Sequence, residues 1–96
     1  MLNLKNLGYD VTVFLGIHLN SSKDLSSVIE KLNQLPEVVE AYFTTGNYAL
    51  LVKAHTKNIT DFHLFLAKKL QTIEGIQSTE SFISLDQPIN KSIQLT

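Results

Sequence analysis

Cysteine and arginine are both missing from this 96-residue chain, and each absence removes a class of function. Without cysteine there are no disulfide staples and no thiolate metal sites, so the fold rests on its core or on self-association. A reducing cytoplasm suits such a chain. Without arginine the usual reader of guanine edges is gone. The eight basic residues are all lysine, and they are scattered rather than gathered into a stripe that could neutralise successive phosphates. Direct nucleic-acid binding by these residues alone is not expected. No apolar run approaches the roughly 20 residues of a bilayer span. The opening Met1-Leu2-Asn3-Leu4-Lys5 lacks the charged and apolar regions of a secretory signal, so neither membrane nor export is expected. The four glycines are isolated, which excludes a glycine-rich phosphate loop.

What is present is the composition of one ordinary globular domain. With 44% hydrophobic and 18% charged residues and a net charge of −1, the chain carries enough apolar surface for one core and has no room for a second. From Tyr9 to Leu19, Val11, Val13, Leu15, Ile17 and Leu19 alternate with other residues, which predicts a strand. Asn20-Ser21-Ser22 supplies an N-cap, and Leu25, Val28, Ile29, Leu32 and Leu35 then follow at helical spacing until Pro36 ends the run. A strand from about Val38 to Thr44 turns at Gly46-Asn47, where positive φ is expected, and returns from Tyr48 to His55. Asn58 caps a second helix with Asp61 in its first turn and Phe62, Phe65, Leu66, Leu70 and Ile73 on its apolar face. Gly75 stops it, and Ile76 to Leu85 is the fourth strand.

The order β-α-β-β-α-β repeats at an offset of 38: Gly8 falls on Gly46, Leu32 on Leu70, Leu35 on Ile73 and Val38 on Ile76. The expected fold is therefore α+β, a ferredoxin-like sandwich with two helices on one face of a four-stranded antiparallel sheet. The other face does not become polar. Thr12, Phe14 and Gly16 in the first strand, Ala49-Leu50-Leu51-Val52 in the third, and Val38-Val39, Tyr42-Phe43 and Phe82-Ile83 in the outer two leave apolar residues on both sides. At about 25 cal/mol per Å2, covering such a patch contributes several kcal/mol, which predicts a homodimer packed sheet to sheet, a dimeric α+β barrel. The plainer alternative is that Phe14 and Phe82 complete a small core. One inconsistency stands: the offset of 38 equates Lys53 and His55 with Leu15 and Ile17.

Chemistry-bearing constellations are sparse. His18, His55 and His63 lie on different elements without metal-ligand spacing, and each reads as a solvated or partly buried side chain. No serine sits in a GxSxG turn, and Glu37 and Glu40 flank a strand start. Neither a cofactor nor a metal is expected. The remaining candidate is the hairpin Thr44-Thr45-Gly46-Asn47-Tyr48. Its backbone amides can meet a carboxylate, and its threonine hydroxyls and the Asn47 amide an ammonium group or water. The bland alternative is a hairpin and nothing more.

The segments 7–17, Leu35-Pro36-Glu37-Val38-Val39-Glu40-Ala41, 45–53 and Gly75-Ile76-Gln77-Ser78-Thr79-Glu80 resemble, in order and spacing, the C-terminal effector-binding domain of Lrp/AsnC transcription regulators. The likeness runs from about Leu4 to Asp86. It implies a sensing domain, not an enzyme, that binds amino acids in pockets between associated dimers, often in octamers or other rings. It also implies ligand-binding roles for Thr45, Gly46, Asn47, Tyr48 and Ala49, which match the family's Thr-Gly-Asp-Tyr-Asp turn, and for Gln77, Thr79 and Ser81 on the fourth strand. Asn47 and Ala49 replace two aspartates, so a neutral amino acid is expected in preference to a cationic one. DNA would be reached only through a helix-turn-helix domain not present in this chain. By this resemblance residues 1–7 are the end of a linker strand or an N-terminal arm, 8–87 the ligand-binding and oligomerisation domain, and 88–96 a C-terminal tail. The chain is either a piece of a full regulator or a free-standing sensor. Two other readings stay open: a small dimeric α+β-barrel enzyme, for which His18 is the best candidate, and a ligand-free oligomerisation module.

Overall fold

The computed structural model describes residues 10–93. The expectations placed on Leu4 to Tyr9, including Gly8 and the linker reading, lie outside them. Strand β1 runs Val11–Leu19, helix α1 Leu25–Asn33 after a 3-10 turn at Ser22–Asp24, β2 Val38–Phe43, β3 Leu50–Thr56, α2 Ile59–Phe65, and β4 Ile76–Ile83. All pairings are antiparallel and the sheet order is β2-β3-β1-β4. The expected ferredoxin-like arrangement is thus the observed one.

Local chemistry sets the helix ends. The Ser21 hydroxyl accepts from the Lys23 amide at 3.2 Å, and the Asn58 side chain accepts from the Asp61 amide at 2.7 Å, each meeting an amide that has no partner within its helix. Gly75 is not the helix stop the sequence suggested, since the second helical segment ends at Leu70 with Gln71 as its cap; its φ of 101°, which only glycine adopts without strain, turns the chain into β4, and a Cβ there would lie 2.9 Å from Asp24 Cβ. Gly46, by contrast, is not in the left-handed region, contrary to the sequence expectation. The hairpin is longer than a two-residue turn: Thr44 N donates to Ala49 O at 3.1 Å, leaving four residues between them to close it without positive φ.

The core lies between helices and sheet. Val13, Leu15 and Ile17 of β1 and Leu50, Val52 and Ala54 of β3 are buried against Val28 and Leu32 of α1 and Phe62, Phe65 and Leu70 of the second helical segment. That second segment is not one regular helix. After Phe65 it becomes a π-turn over Leu66–Leu70, in which Gln71 N donates to Leu66 O at 2.9 Å.

This turn resolves the inconsistency in the repeat. In the β1–β3 ladder Leu15 faces Val52 and Val13 faces Ala54, so paired residue numbers sum to an odd value. Only an odd offset can then keep a residue and its counterpart on the same face of the sheet. The first strand of each half and the cap after it repeat at 37, Leu15 of β1 on Val52 of β3 and Ser21 on Asn58, whereas Leu32 on Leu70 and the bulges at Val39 of β2 and Gln77 of β4 repeat at 38. The extra residue is absorbed by the π-turn. Lys53 and His55 are therefore not on the face of Leu15 and Ile17; they pair with Phe14 and Thr12 on the opposite face.

Candidate functional site

The face away from the helices carries Phe14, Leu51, Phe82 and Tyr42 in adjacent register positions, bordered by Thr12, Lys53, Glu40 and Glu80. Phe14 is 39% and Phe82 45% exposed, so they do not complete the core of a single copy. Phe43 and Ile83, opposite Leu50 and Val13, lie instead on the helix side at the sheet margins, exposed beyond the helices.

The hairpin between β2 and β3 is tied to this open face through one side chain. Tyr48 folds its ring over Gly16 so closely that a Cβ at Gly16 would lie 2.6 Å from it. The phenol donates to a Glu80 carboxylate oxygen on β4, and the His18 ring sits 5.0 Å away, tilted by 50°. Its carboxylate partner raises the Tyr48 pKa, with burial adding to the effect. The Thr44 hydroxyl donates to Tyr48 O at 2.5 Å, closing the base of the hairpin. Thr45, Gly46 and Asn47 are left exposed at the tip, with Ala49 half-buried on the return.

On β4, Thr79 pairs with Ile17 and Ser81 with Leu15, which places both on the helix-side face, while Gln77 occupies a bulge between Ile76 and Ser78. Ile17 pairs with both Leu50 and Thr79, so the hairpin and the early part of β4 flank the same end of β1. Seven of the eight residues singled out in the sequence are thus grouped at one end of the sheet, Ser81 lies opposite the middle of β1, and the set is divided between the two faces. A cleft of about 290 Å3 beside α2, lined by Glu37, Asp61, Lys68 and Lys69, contains none of them. Neither does the groove between α1 and β2.

Sequence reasoning did not assign Gly16, His18 and Glu80 to this site. A glycine in the middle of a strand is the signal that was available, because it often marks the close approach of another group. Gly16→Ala is expected to push the Tyr48 ring off β1 and destabilise the protein by about 1–3 kcal/mol, as overpacking does. Urea unfolding measures the loss, and faster hydrogen exchange over residues 44–49 locates it.

His55 is buried, with Nδ1 3.0 Å from the Thr12 hydroxyl and its backbone N–H donating to Glu37 O at 2.8 Å. Burial lowers its pKa, the Lys53 charge lowers it further, and Glu40 opposes the shift. Above the unfolded value of about 6.5 both states are neutral; below it the unfolded chain binds the proton first, so His55 reduces stability as pH falls. His55→Gln is expected to flatten the stability loss between pH 7 and 5.5 in urea titrations.

Among the described residues no group of three His, Cys, Asp or Glu side chains could hold a metal ion, and no helix is long and apolar enough to cross a membrane.

Comparison with known proteins places the chain. The model of the Lrp/AsnC ligand binding domain matches residues 12–93. The regulatory protein AsnC of Haemophilus influenzae is 49% identical over 94 residues, covering 98% of this chain and 63% of that protein. The solved structure of Escherichia coli AsnC superimposes with a TM-score of 0.93 at 46% identity, covering 97% of this chain and 62% of that one. A Neisseria meningitidis transcriptional regulator solved as a complex with L-Met has the same fold, with a TM-score of 0.89 at 17% identity, covering 96% of this chain and 60% of that one. The chain therefore spans less than two thirds of the length of these relatives. With the open sheet and these likenesses together, the chain belongs to the Lrp/AsnC ligand-binding-domain family.

Proposed function

We propose that this chain is the sensing and self-association part of an Lrp/AsnC-type transcription regulator, binding a neutral amino acid where the hairpin of one copy meets a neighbouring copy. The observation that carries this reading is the state of the hairpin. Its polar tip, Thr45 to Asn47, is held out by the Tyr48 anchor but lines neither of the two clefts described above, beside an apolar sheet face that a single copy leaves wet. A second copy would supply both the cover and the missing wall.

Asn47 and Ala49 leave the turn without a carboxylate, so nothing in it neutralises a cationic side chain. The L-Met complex of the Neisseria regulator supports an amino acid with an uncharged side chain. The ligand would act by binding two assembly states with different affinity, and DNA would be reached through a helix-turn-helix domain outside this sequence. We place the assembly at a homodimer that builds larger rings such as octamers, in a cytoplasm whose reducing conditions suit a cysteine-free chain. An enzyme has less support: His18 packs against Tyr48, and His55 is held by Thr12.

Calorimetric titration with L-asparagine, L-methionine, L-leucine and L-lysine, run alongside light scattering, tests the proposal. Binding of a neutral member with a change in mass is expected, and Gly46→Trp should abolish it while pairs persist. No heat from any of the four and no change in mass would overturn it.

A further inference from the structure

Beyond β4 the chain continues as an arm that touches little of its own domain. Ser84 N still donates to Thr12 O at 2.8 Å, extending the β1–β4 ladder by one bond, after which residues 85–93 form no helix or strand. Along this arm Leu85 is 97%, Ile89 69% and Ile93 88% exposed. In an extended chain residues four apart point the same way, so the three aliphatic side chains make a row with about 13 Å between neighbours. A row of this kind is out of place in water unless something covers it.

A matching receptor lies at the opposite margin of the sheet. Strand β2 is outermost, so one row of its backbone N–H and C=O groups faces no other strand. Between it and α1 runs a groove of about 290 Å3 with Ile29, Val38, Val39 and Ala41 in its walls and Glu30 and Glu40 at its rim. Glu40 is 3.9 Å from Lys53, but Glu30 makes no ion pair among the described residues. The arm carries one cation, Lys91, and one anion, Asp86, which in an extended chain points to the side opposite Lys91. Shape and polarity therefore correspond, and Lys91 offers Glu30 a partner; the arm leaves from β4, three strand spacings or about 14 Å from β2, and its aliphatic residues stay exposed instead of entering the groove of their own copy.

We propose that the arm of one copy, residues 85–93, lies along β2 of a second copy, seating its aliphatic row in the α1–β2 groove and bringing Lys91 to Glu30. This inference rests on the self-association proposed above and names a second contact for it. The occupant is another copy rather than an unrelated protein because donor and acceptor surfaces occur in the same chain, and their exchange leaves neither uncovered.

Sedimentation equilibrium of the full chain, with circular dichroism to confirm folding, tests it. Ile89→Asp in the arm and Val39→Asp in the groove should each weaken self-association at least tenfold. Their combination should weaken it little further, since both break one contact. Lys91→Glu should weaken it severalfold, and adding Glu30→Lys should restore it. The proposal is overturned if Ile89→Asp leaves association unchanged, or if the two aspartate effects multiply as independent losses. Phe14→Asp separates the cases: association lost in that variant but untouched by Ile89→Asp removes the arm contact and keeps the paired sheets, whereas a wild-type chain that never associates removes both.

Discussion

Phe14→Asp is expected to turn the self-associated protein into monomers without unfolding them. Phe14 sits at the middle of the open face, opposite Phe82 on one side and Lys53 on the other. If two copies meet there about a twofold axis, one substitution introduces two carboxylates, and each must lose its water as the faces close. That penalty and the lost aromatic burial together exceed about 4 kcal/mol, which raises the dissociation constant by about a thousandfold or more. In a single copy the same ring is already 39% exposed and lies outside the buried core. Stability of the separated chain should therefore fall by no more than about 1–2 kcal/mol. Sedimentation and thermal unfolding, read together, distinguish loss of pairing from loss of fold.

The second large effect tests the register of the sheet. Leu15→Ala is expected to reduce stability by about 2–5 kcal/mol, because Leu15 is fully buried opposite Val52 at the centre of the core. Lys53→Ala is expected to change stability by less than about 1 kcal/mol. Lys53 lies on the open face, where its closest ionic partner is Glu40 at 3.9 Å. A repeat of 38 equates these two positions, whereas a repeat of 37 equates Leu15 with Val52. Urea unfolding of the two variants, with Val52→Ala as the second large loss, separates the alternatives.

Much of the architecture was legible because its signals are local. The alternation of Val13, Leu15 and Ile17 sets the buried face of β1, and Asn58 caps α2 as expected, whereas Ser21 caps the 3-10 turn ahead of α1 and Gly75 turns the chain into β4 after the helix has already ended at Leu70. Other features depend on the whole chain. The π-turn at Leu66–Leu70 hides in an ordinary pattern of apolar residues, since Phe62, Phe65, Leu66 and Leu70 also fit an uninterrupted α-helix. Its presence emerges only when the antiparallel pairing of β1 and β3 demands an odd repeat. The bulge at Gln77 behaves likewise, because it is defined by the partner strand.

The candidate site divides along the same line. The hairpin residues were recognisable from their resemblance to a known turn, but the seat of the Tyr48 ring on Gly16 joins residues 32 positions apart. No periodicity reports such a contact. For the same reason Thr79 and Ser81 could be named in sequence without their facing the helix side, away from the Tyr48 anchor. The hairpin and β4 share one end of the sheet, and the reading of a ligand site there depends on a second copy closing it.

The most direct test of the account is the mass of the unmodified chain in dilute solution. Sedimentation velocity at micromolar concentration, without ligand, should show a species at a multiple of the 10.8 kDa protomer. A stable, compact species of 10.8 kDa would contradict it, because the apolar sheet face would then be content in water and the hairpin would have no neighbour to complete it.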